Sequence, residues 1–240
     1  MLLKEQEQAI TDYLILHKLP LDILLEVKDH MISQVADIQI EDNTSFEEAF
    51  HKTQKLWESE FRMTKYAAFY AEEIPVIVKN IVRARNNNLL KKSVLLGLAS
   101  LAMVFVFIYL ASDGDQYTDL FRIHNGLFIV VPLVIWAFHY KMLKYIRYDH
   151  KYKGKLFYTM YQQNAALTLS MIGTMAQIIV KDGKYPYLFF REREYAEFGY
   201  MLVTLLLPYL VQVMIIFVML SFFEHKKAVA RVQDFLNTQA

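Results

Sequence analysis

Apolar residues recur every three or four positions through the first sixty residues, which is the spacing of one face of an α-helix. The first such stretch, 4–18, carries one apolar stripe on an otherwise polar surface. After Pro20, a residue suited to the first turn of a helix, Leu24, Met31 and Val35 continue the same spacing. The pattern predicts amphipathic helices that pack their apolar faces together in a small soluble domain.

A polar turn at 41–45 separates these helices from a third one. Ser45 and Glu48, or Thr44 and Glu47, have the spacing of a capping box, in which a side-chain oxygen accepts a hydrogen bond from a backbone N–H three residues further on. Aromatic and apolar residues then follow at helical spacing. A third amphipathic helix is therefore predicted to begin at this turn.

The end of the polar region is predicted to remain helical. A helix is expected over 62–74, where Pro75 removes a backbone donor and ends or kinks it, and helix resumes over 76–85. The asparagine run at 86–88 is interpreted as the joint to the rest of the chain.

Beyond this joint the chain contains four long stretches without Asp, Glu, Lys or Arg. A bilayer core of about 30 Å requires roughly 20 apolar residues in a helix, because each residue advances about 1.5 Å. The third stretch opens with polar residues and is the shortest in its apolar part. We predict four transmembrane helices, at approximately 93–111, 123–140, 160–180 and 198–223.

The charges between these stretches alternate. Basic residues are concentrated before the first stretch, between the second and third, and after the fourth. The segment 112–122 is acidic, and 181–197 carries equal numbers of acidic and basic residues. Because cationic segments stay on the cytoplasmic side, the N-terminus and the C-terminus are both expected to be cytoplasmic.

Composition agrees with this division. Hydrophobic residues make up 55% of the 240 residues and charged residues make up 21%. These two fractions fit a membrane protein only if the charges are segregated along the chain. The fold class predicted is therefore all-α, a polytopic membrane protein. Its parts are a cytoplasmic helical domain at 1–88, a four-helix transmembrane domain at 89–225 and a cytoplasmic tail at 226–240.

Charge and cysteine content narrow the function. A formal net charge of +1 gives no support for nucleic-acid binding. The chain has no cysteine, which excludes disulfides, thiol nucleophiles and metal sites built from cysteine. The first thirty residues also lack the unbroken apolar core of a signal peptide.

All polar side chains within the predicted transmembrane helices are uncharged. Proton relays and ion-coupled pumps usually place ionisable groups at membrane depth, so this composition disfavours them. Thr174, Gln177 and Gln212 are the candidate intramembrane polar residues. Hydrogen bonding between packed helices is their favoured role, and a transport pathway between the third and fourth helices is the alternative.

Aromatic and basic residues alternate in the segment between the second and third helices. Aromatic rings and long cationic side chains prefer the headgroup layer, so this segment is expected to lie on anionic lipid. A binding patch for RNA or a partner protein is the alternative, although no RNA-binding module is recognisable. The candidate lipid-interface residues are Lys141, Lys144, Tyr145, Arg147, Tyr148, Lys151, Tyr152 and Lys153.

Signs of catalysis are weak. No metal site or cofactor is expected, because His30 and its acidic neighbours do not form the set of three or four converging groups that ligation needs. The chain also lacks GxSxG, Walker and GxGxxG motifs. An enzyme acting on lipids would need converging polar groups at one interface, for which His139, Tyr140 and His225 are the candidates.

Residues 13–61 resemble the small helical domain of the HAAS or permease-prefix type, which precedes membrane helices in many bacterial proteins. The matching features are Leu19, the block LEVKDH at 25–30 and the helix start SFEEAF at 45–50. The glycine that commonly precedes the third helix of that domain is absent, and the turn EDNT at 41–44 replaces it. The resemblance implies a regulatory or assembly module without catalytic residues.

Together these observations favour a non-enzymatic membrane protein that acts as a regulatory, assembly or accessory subunit through its cytoplasmic domain and its helix interfaces. Its expected contacts are membrane lipids and either further copies of itself or a partner protein docked on the N-terminal domain. The expected location is the bacterial inner membrane. A small transporter or channel, and a lipid-modifying enzyme, are the alternatives.

Overall fold

A computed structural model describes residues 2–65, 73–147, 150–151, 155–162, 164, 167–181, 183–192 and 198–239. The described chain is all-α apart from two short strand pairs. Its contacts divide it into two compact units. The first unit comprises Met1–Asn86, Arg147–Gln162 and His225–Ala240, and the second comprises Asn87–Ile146 and Gln163–Glu224.

Three helices open the first unit: α1 (Lys4–Leu16), α2 (Leu21–Asp42) and α3 (Phe46–Phe61). Asn43 ends α2 in the left-handed conformation, with a φ of 49°. The Ser45 hydroxyl then accepts a hydrogen bond from the backbone N–H of Glu48 at 3.3 Å, so Ser45 caps α3. Of the two cap pairs that the spacing allows, the structure uses Ser45 with Glu48.

The apolar series read from the sequence forms the core of the first unit. Residues from α1, α2, α3 and the following helix are buried in one cluster, which excludes water from all four helices. Its members include Ile10, Leu14, Leu24, Val27, Met31, Val35, Ala49, Phe61 and Val78. The predicted amphipathic packing is therefore confirmed for this part of the chain.

The helix predicted over 62–74 is wrong where the structure describes it. Strand β1 (Met63–Lys65) pairs antiparallel with β2 (Glu73–Pro75), and residues 66–72 lie outside the described residues. Extended backbone at Arg62, with a ψ of 132°, ends α3. A residue before proline is driven away from helical backbone angles, which accounts for the extended Ile74.

A single helix, α4 (Val76–Leu110), follows without a break at the asparagine run. The asparagine run interpreted as the joint does not interrupt the helix, since asparagine costs only a few tenths of a kcal/mol in a helix already nucleated on both sides. The division between the two units nevertheless falls here, between Asn86 and Asn87.

Among the described residues, three helices are long and apolar enough to cross a membrane. They are α4, α5 (Gly114–Phe138) and the last helix, α9 (Phe198–Gln239), and they indicate a membrane location. The apolar helix α7 (Thr168–Val180) has 13 residues, or about 20 Å, which is shorter than the predicted span at 160–180.

Short elements join these helices. After α5 come a 3₁₀ turn, the helix α6 and a strand pair, and after α7 come the one-turn helix α8 and a π-helical turn. Their bounds are Tyr140–Met142 for the 3₁₀ turn, Leu143–Arg147 for α6, His150–Lys151 for β3, Lys155–Leu156 for β4, Tyr185–Tyr187 for α8 and Leu188–Glu192 for the π-helical turn.

The second unit is held together by a buried cluster from α4, α5, α7, α8 and α9, which includes Ile108, Tyr117, Met175 and Phe222. Helix α4 approaches α9 closely at Gly97, where an added methyl group would overlap the side chain of Val213. Small residues permit such approach between membrane helices.

Candidate functional site

Four polar side chains from three helices of the second unit form one hydrogen-bonded chain, here called the intramembrane chain. Ser100 comes from α4, His124 and Asn125 from α5, and Gln212 from α9. Ser100 Oγ lies 2.8 Å from both His124 Nε2 and Gln212 Oε1. Gln212 Nε2 lies 2.9 Å from Asn125 Oδ1, and Asn125 Nδ2 lies 2.8 Å from the carbonyl oxygen of Phe121.

The direction of every bond in this chain follows from its last acceptor. The Phe121 carbonyl can only accept, so Asn125 donates through Nδ2 and accepts through Oδ1. Gln212 must then donate through Nε2, which leaves its Oε1 to accept the single proton of the Ser100 hydroxyl. His124 consequently donates to Ser100 through Nε2.

Such a chain joins helices and is unsuited to moving protons. Two amide side chains stand between the imidazole and a terminal backbone carbonyl, and amides do not readily exchange protons in the way that carboxyl, imidazole or water relays do. Asn125 and Gln212 are buried, so their satisfied hydrogen bonds avoid the cost of isolated polar groups in an apolar surrounding.

The three candidate intramembrane residues therefore do not belong to one site. Gln212 belongs to the chain, whereas the side chain of Gln177 is exposed on α7 and Thr174 donates to the Ser170 carbonyl of its own helix at 3.0 Å. No described contact brings Gln212 together with Gln177 or Thr174. Ser100, His124 and Asn125 were not among the candidates, although a serine, a histidine–asparagine pair and a glutamine inside three apolar stretches are a recognisable signal in the sequence.

A second polar site lies in the first unit, where α2 meets residues 157–162 and the C-terminal part of α9. We call this site the junction and define it by Leu21, Asp22, the segment 157–162, His225 and Val232. All of these residues belong to the first unit. The junction therefore gathers three segments that are far apart in the sequence.

The junction completes the N-terminus of α2. Pro20 precedes that helix and has no side-chain acceptor, so the free N–H groups of the first turn need other partners. The N–H of Leu21 donates to the carbonyl of Phe157 at 2.9 Å, and Asp22 Oδ1 accepts from the N–H of Met160 at 3.1 Å. The Phe157 carbonyl thus caps one N–H of the first turn, and Asp22 in the same turn holds the backbone of Met160.

The side chain of Asp22 is almost fully buried at this contact. Burial raises the pKa of its carboxyl to about 7, although the Met160 hydrogen bond and the nearby Arg85 act in the opposite direction. Oδ2 of Asp22 has no hydrogen-bond partner among the described residues. Arg85 is already engaged with Glu26 and with the sulfur of Met160, so it does not fully compensate a charged carboxylate.

The C-terminal part of α9 completes the junction. His225 Nδ1 lies 2.7 Å from the hydroxyl of Thr159, and both side chains are buried. Seven residues further along, Val232 packs on Leu21, and neither side chain is exposed. A mixed contact of this kind removes both polar and apolar surface from water and holds the segments together.

The candidate lipid-interface residues are only partly described. Lys141 and Lys144 are exposed, and the ammonium group of Lys144 lies 4.6 Å from the ring centre of Tyr145. The side chains of Arg147 and Lys151 lie outside the described residues. Tyr148, Tyr152 and Lys153 lie outside them entirely.

The structure does not assemble the enzyme candidates into one site within either unit. His139 belongs to the second unit, where its ring meets Phe222, whereas His225 belongs to the first and is bound to Thr159. Tyr140 is exposed. The described residues hold no group of three or more His, Asp and Glu side chains that could bind a metal ion.

The chain matches no protein-family model, no curated protein and no solved structure. Its function must therefore be inferred from the intramembrane chain, the junction and the surfaces of the two units.

Replacing Gln212 with leucine should weaken the membrane bundle. The substitution leaves the Ser100 hydroxyl without its acceptor and Asn125 Oδ1 without its donor. We expect the free energy of unfolding to fall by about 1–3 kcal/mol, measured by titrating purified protein in mixed micelles with dodecyl sulfate. The matched control is Gln177→Leu, at an exposed position, which should change it by less than about 0.5 kcal/mol. Equal effects of both substitutions would contradict the assignment.

Replacing Asp22 with asparagine should change the pH dependence of the junction. A carboxyl whose pKa is raised on folding stabilises the folded form most below about pH 4, and this contribution is lost as pH rises through about 7. Relative to Asp22→Asn, the wild-type junction should therefore lose about 1.4 kcal/mol per pH unit across that window and change no further above it.

The free energy of opening can be measured by hydrogen exchange at the amides of Leu21 and Met160, corrected for intrinsic exchange. Asp29→Asn is the matched control, because Asp29 is exposed on the same helix. A difference between the wild type and Asp22→Asn that stays constant with pH would show that Asp22 is not buried as described.

Proposed function

We propose that this chain is a non-enzymatic membrane protein that crosses the bilayer four times and serves as a regulatory, assembly or accessory subunit. The observation that carries the proposal is the junction. It attaches the N-terminal helices to residues 157–162, which lie between the apolar helices α5 and α7 in the sequence, and to the C-terminal part of α9.

The composition of the first unit supports an even number of crossings. Residues packed into one unit that is exposed to water must lie on one side of a bilayer, because polar backbone cannot remain in hydrocarbon. Helices α4 and α5 give two crossings between 1–86 and 147–162. Helix α9 gives one crossing before 225–240, so the chain between 163 and 197 has to supply another.

Helix α7 is the candidate for that fourth crossing. Its 13 residues cover about 20 Å, and the segments on either side add the remaining length. Irregular backbone at membrane depth is tolerated where it is covered by protein, and α7 packs against α5. The charge alternation of the connecting segments favours the same topology, with both termini in the cytoplasm of a bacterial cell.

A regulatory or accessory role agrees better with the second unit than transport does. A transport pathway needs polar groups that line an accessible cavity. Here the amides of Gln212 and Asn125 are buried and hydrogen-bonded to each other, and the chain ends at a backbone carbonyl. These groups are used in joining helices, which is what a stable anchoring bundle needs.

The junction offers a route from the soluble domain to the membrane helices. A protein bound to the N-terminal helices would bias the position of α2, whose first turn holds residues 157–162 and the C-terminal part of α9. The resemblance to the permease-prefix type of domain supports the same role for residues 13–61. Membrane lipids and a protein partner, or further copies of this chain, are the proposed contacts.

Native mass spectrometry of the full chain released from mild detergent tests this role. We expect a complex of defined stoichiometry, containing either several copies of this chain or one further protein, because an accessory subunit acts through its interfaces. Dilution and extra detergent serve as controls for loose micelle association. A bare monomer under all conditions would contradict the proposal.

A further inference from the structure

The first unit carries a groove between α1 and α3 that none of its own described segments occupies. The groove has a volume of about 550 Å³. Tyr13 and His17 of α1 meet Phe61 of α3 in its floor. The His17 and Phe61 rings stack with their centres 4.2 Å apart, and Tyr13 meets the His17 ring edge-on at 4.8 Å.

Charged side chains of α3 and of Arg62, the residue that follows it, form the rim above this aromatic floor. Lys55 and Arg62 are exposed, and neither side chain makes a hydrogen bond or ion pair among the described residues. Glu58 lies between them in the sequence. Burial raises the pKa of Tyr13, and the negative charge of Glu58 raises it further. Burial lowers the pKa of His17, so that ring is neutral at neutral pH. The charges along the rim are therefore those of Lys55, Glu58 and Arg62, in the order positive, negative, positive.

The spacing of these charges restricts what fits. Lys55 lies in α3 and Arg62 directly follows its last residue, so the two positions are seven residues apart, or about 10 Å along the helix axis. In the extended polyproline II conformation, two side chains three residues apart point the same way and are separated by about 9 Å, because that helix has three residues per turn and advances about 3.1 Å per residue. A carboxylate between them would face Glu58, whereas an apolar side chain there would meet the aromatic floor.

We propose that this groove binds an extended acidic peptide segment of a partner protein, in which two carboxylates three residues apart flank an apolar side chain. The carboxylates pair with Lys55 and Arg62, and the apolar side chain lies on His17, Phe61 and Tyr13. Charge complementarity selects the peptide and the aromatic floor supplies the apolar contact. This inference rests on the proposed function, because it names the class of partner that the N-terminal domain would recruit.

Fluorescence anisotropy tests the proposal with full-length protein in detergent and a fluorescein-labelled peptide of sequence Glu-Ala-Leu-Glu, blocked at its C-terminus. We expect saturable binding that weakens as salt is raised from 50 to 500 mM, because exposed ion pairs are screened. Removing both rim cations in Lys55→Ala/Arg62→Ala should weaken binding about tenfold. The peptide Lys-Ala-Leu-Lys should not bind.

The matched control is the double variant Lys4→Ala/Arg83→Ala, which removes the same two charge types from exposed positions of the first unit outside the groove. It should bind the acidic peptide within about twofold of the wild type. Absence of saturable binding to the wild type, equal binding of the lysine peptide, or equal weakening in both double variants would overturn the proposal.

The two hypotheses fail separately. A defined complex in native mass spectrometry together with no peptide binding would reject the groove and leave the subunit role standing. Peptide binding by a chain that is always a bare monomer would retain the groove and reject that role.

Discussion

Residues that pack together in a unit exposed to water must lie on the same side of a bilayer, and the proposed topology rests on this constraint. The constraint acts on the three segments that meet at the junction, namely the first turn of α2, residues 157–162 and the C-terminal part of α9. Residues 157–162 lie between the apolar helices α5 and α7 in the sequence, and the C-terminal part of α9 continues an apolar helix. The proposed four-span topology depends on these contacts more than on the length of any one helix.

Polar chemistry in the two units has different consequences. In the intramembrane chain every donor has an acceptor, and the Phe121 carbonyl determines the direction of all four bonds. At the junction, by contrast, Asp22 and His225 each retain a buried polar atom without a partner among the described residues. Unsatisfied buried groups cost free energy, so the junction is the less strongly held of the two polar sites.

The sequence was sufficient where structure depends on local spacing. The apolar series through Leu24 and Met31, the cap at Ser45 and the apolar stretches of α4, α5 and α9 all follow from residues within a few turns of one another. The same local reasoning failed at 62–74. There, the extended backbone required before Pro75 outweighed a composition that is compatible with helix.

Contacts between distant residues could not be predicted in this way. Gln212 was recognised as a polar residue in an apolar helix, but its partner Ser100 lies 112 positions away. The burial of Asp22 depends on Met160, which is 138 positions away, and on the lack of a side-chain cap at Pro20. Nothing within the surrounding turn of α2 distinguishes Asp22 from an ordinary acidic residue near a helix N-terminus.

Labelling of single cysteines in intact cells tests the topology most directly, because the chain has no cysteine of its own. An exposed position is available before the first proposed span, between each pair of spans and after the last, namely Glu41, Asp115, Lys144, Glu192 and Asn237. With a maleimide that does not cross membranes, the account predicts labelling of Asp115→Cys and Glu192→Cys in intact cells, and labelling of the other three only after permeabilisation. Labelling of Asn237→Cys from outside, with Glu41→Cys protected, would demonstrate an odd number of crossings and contradict the account.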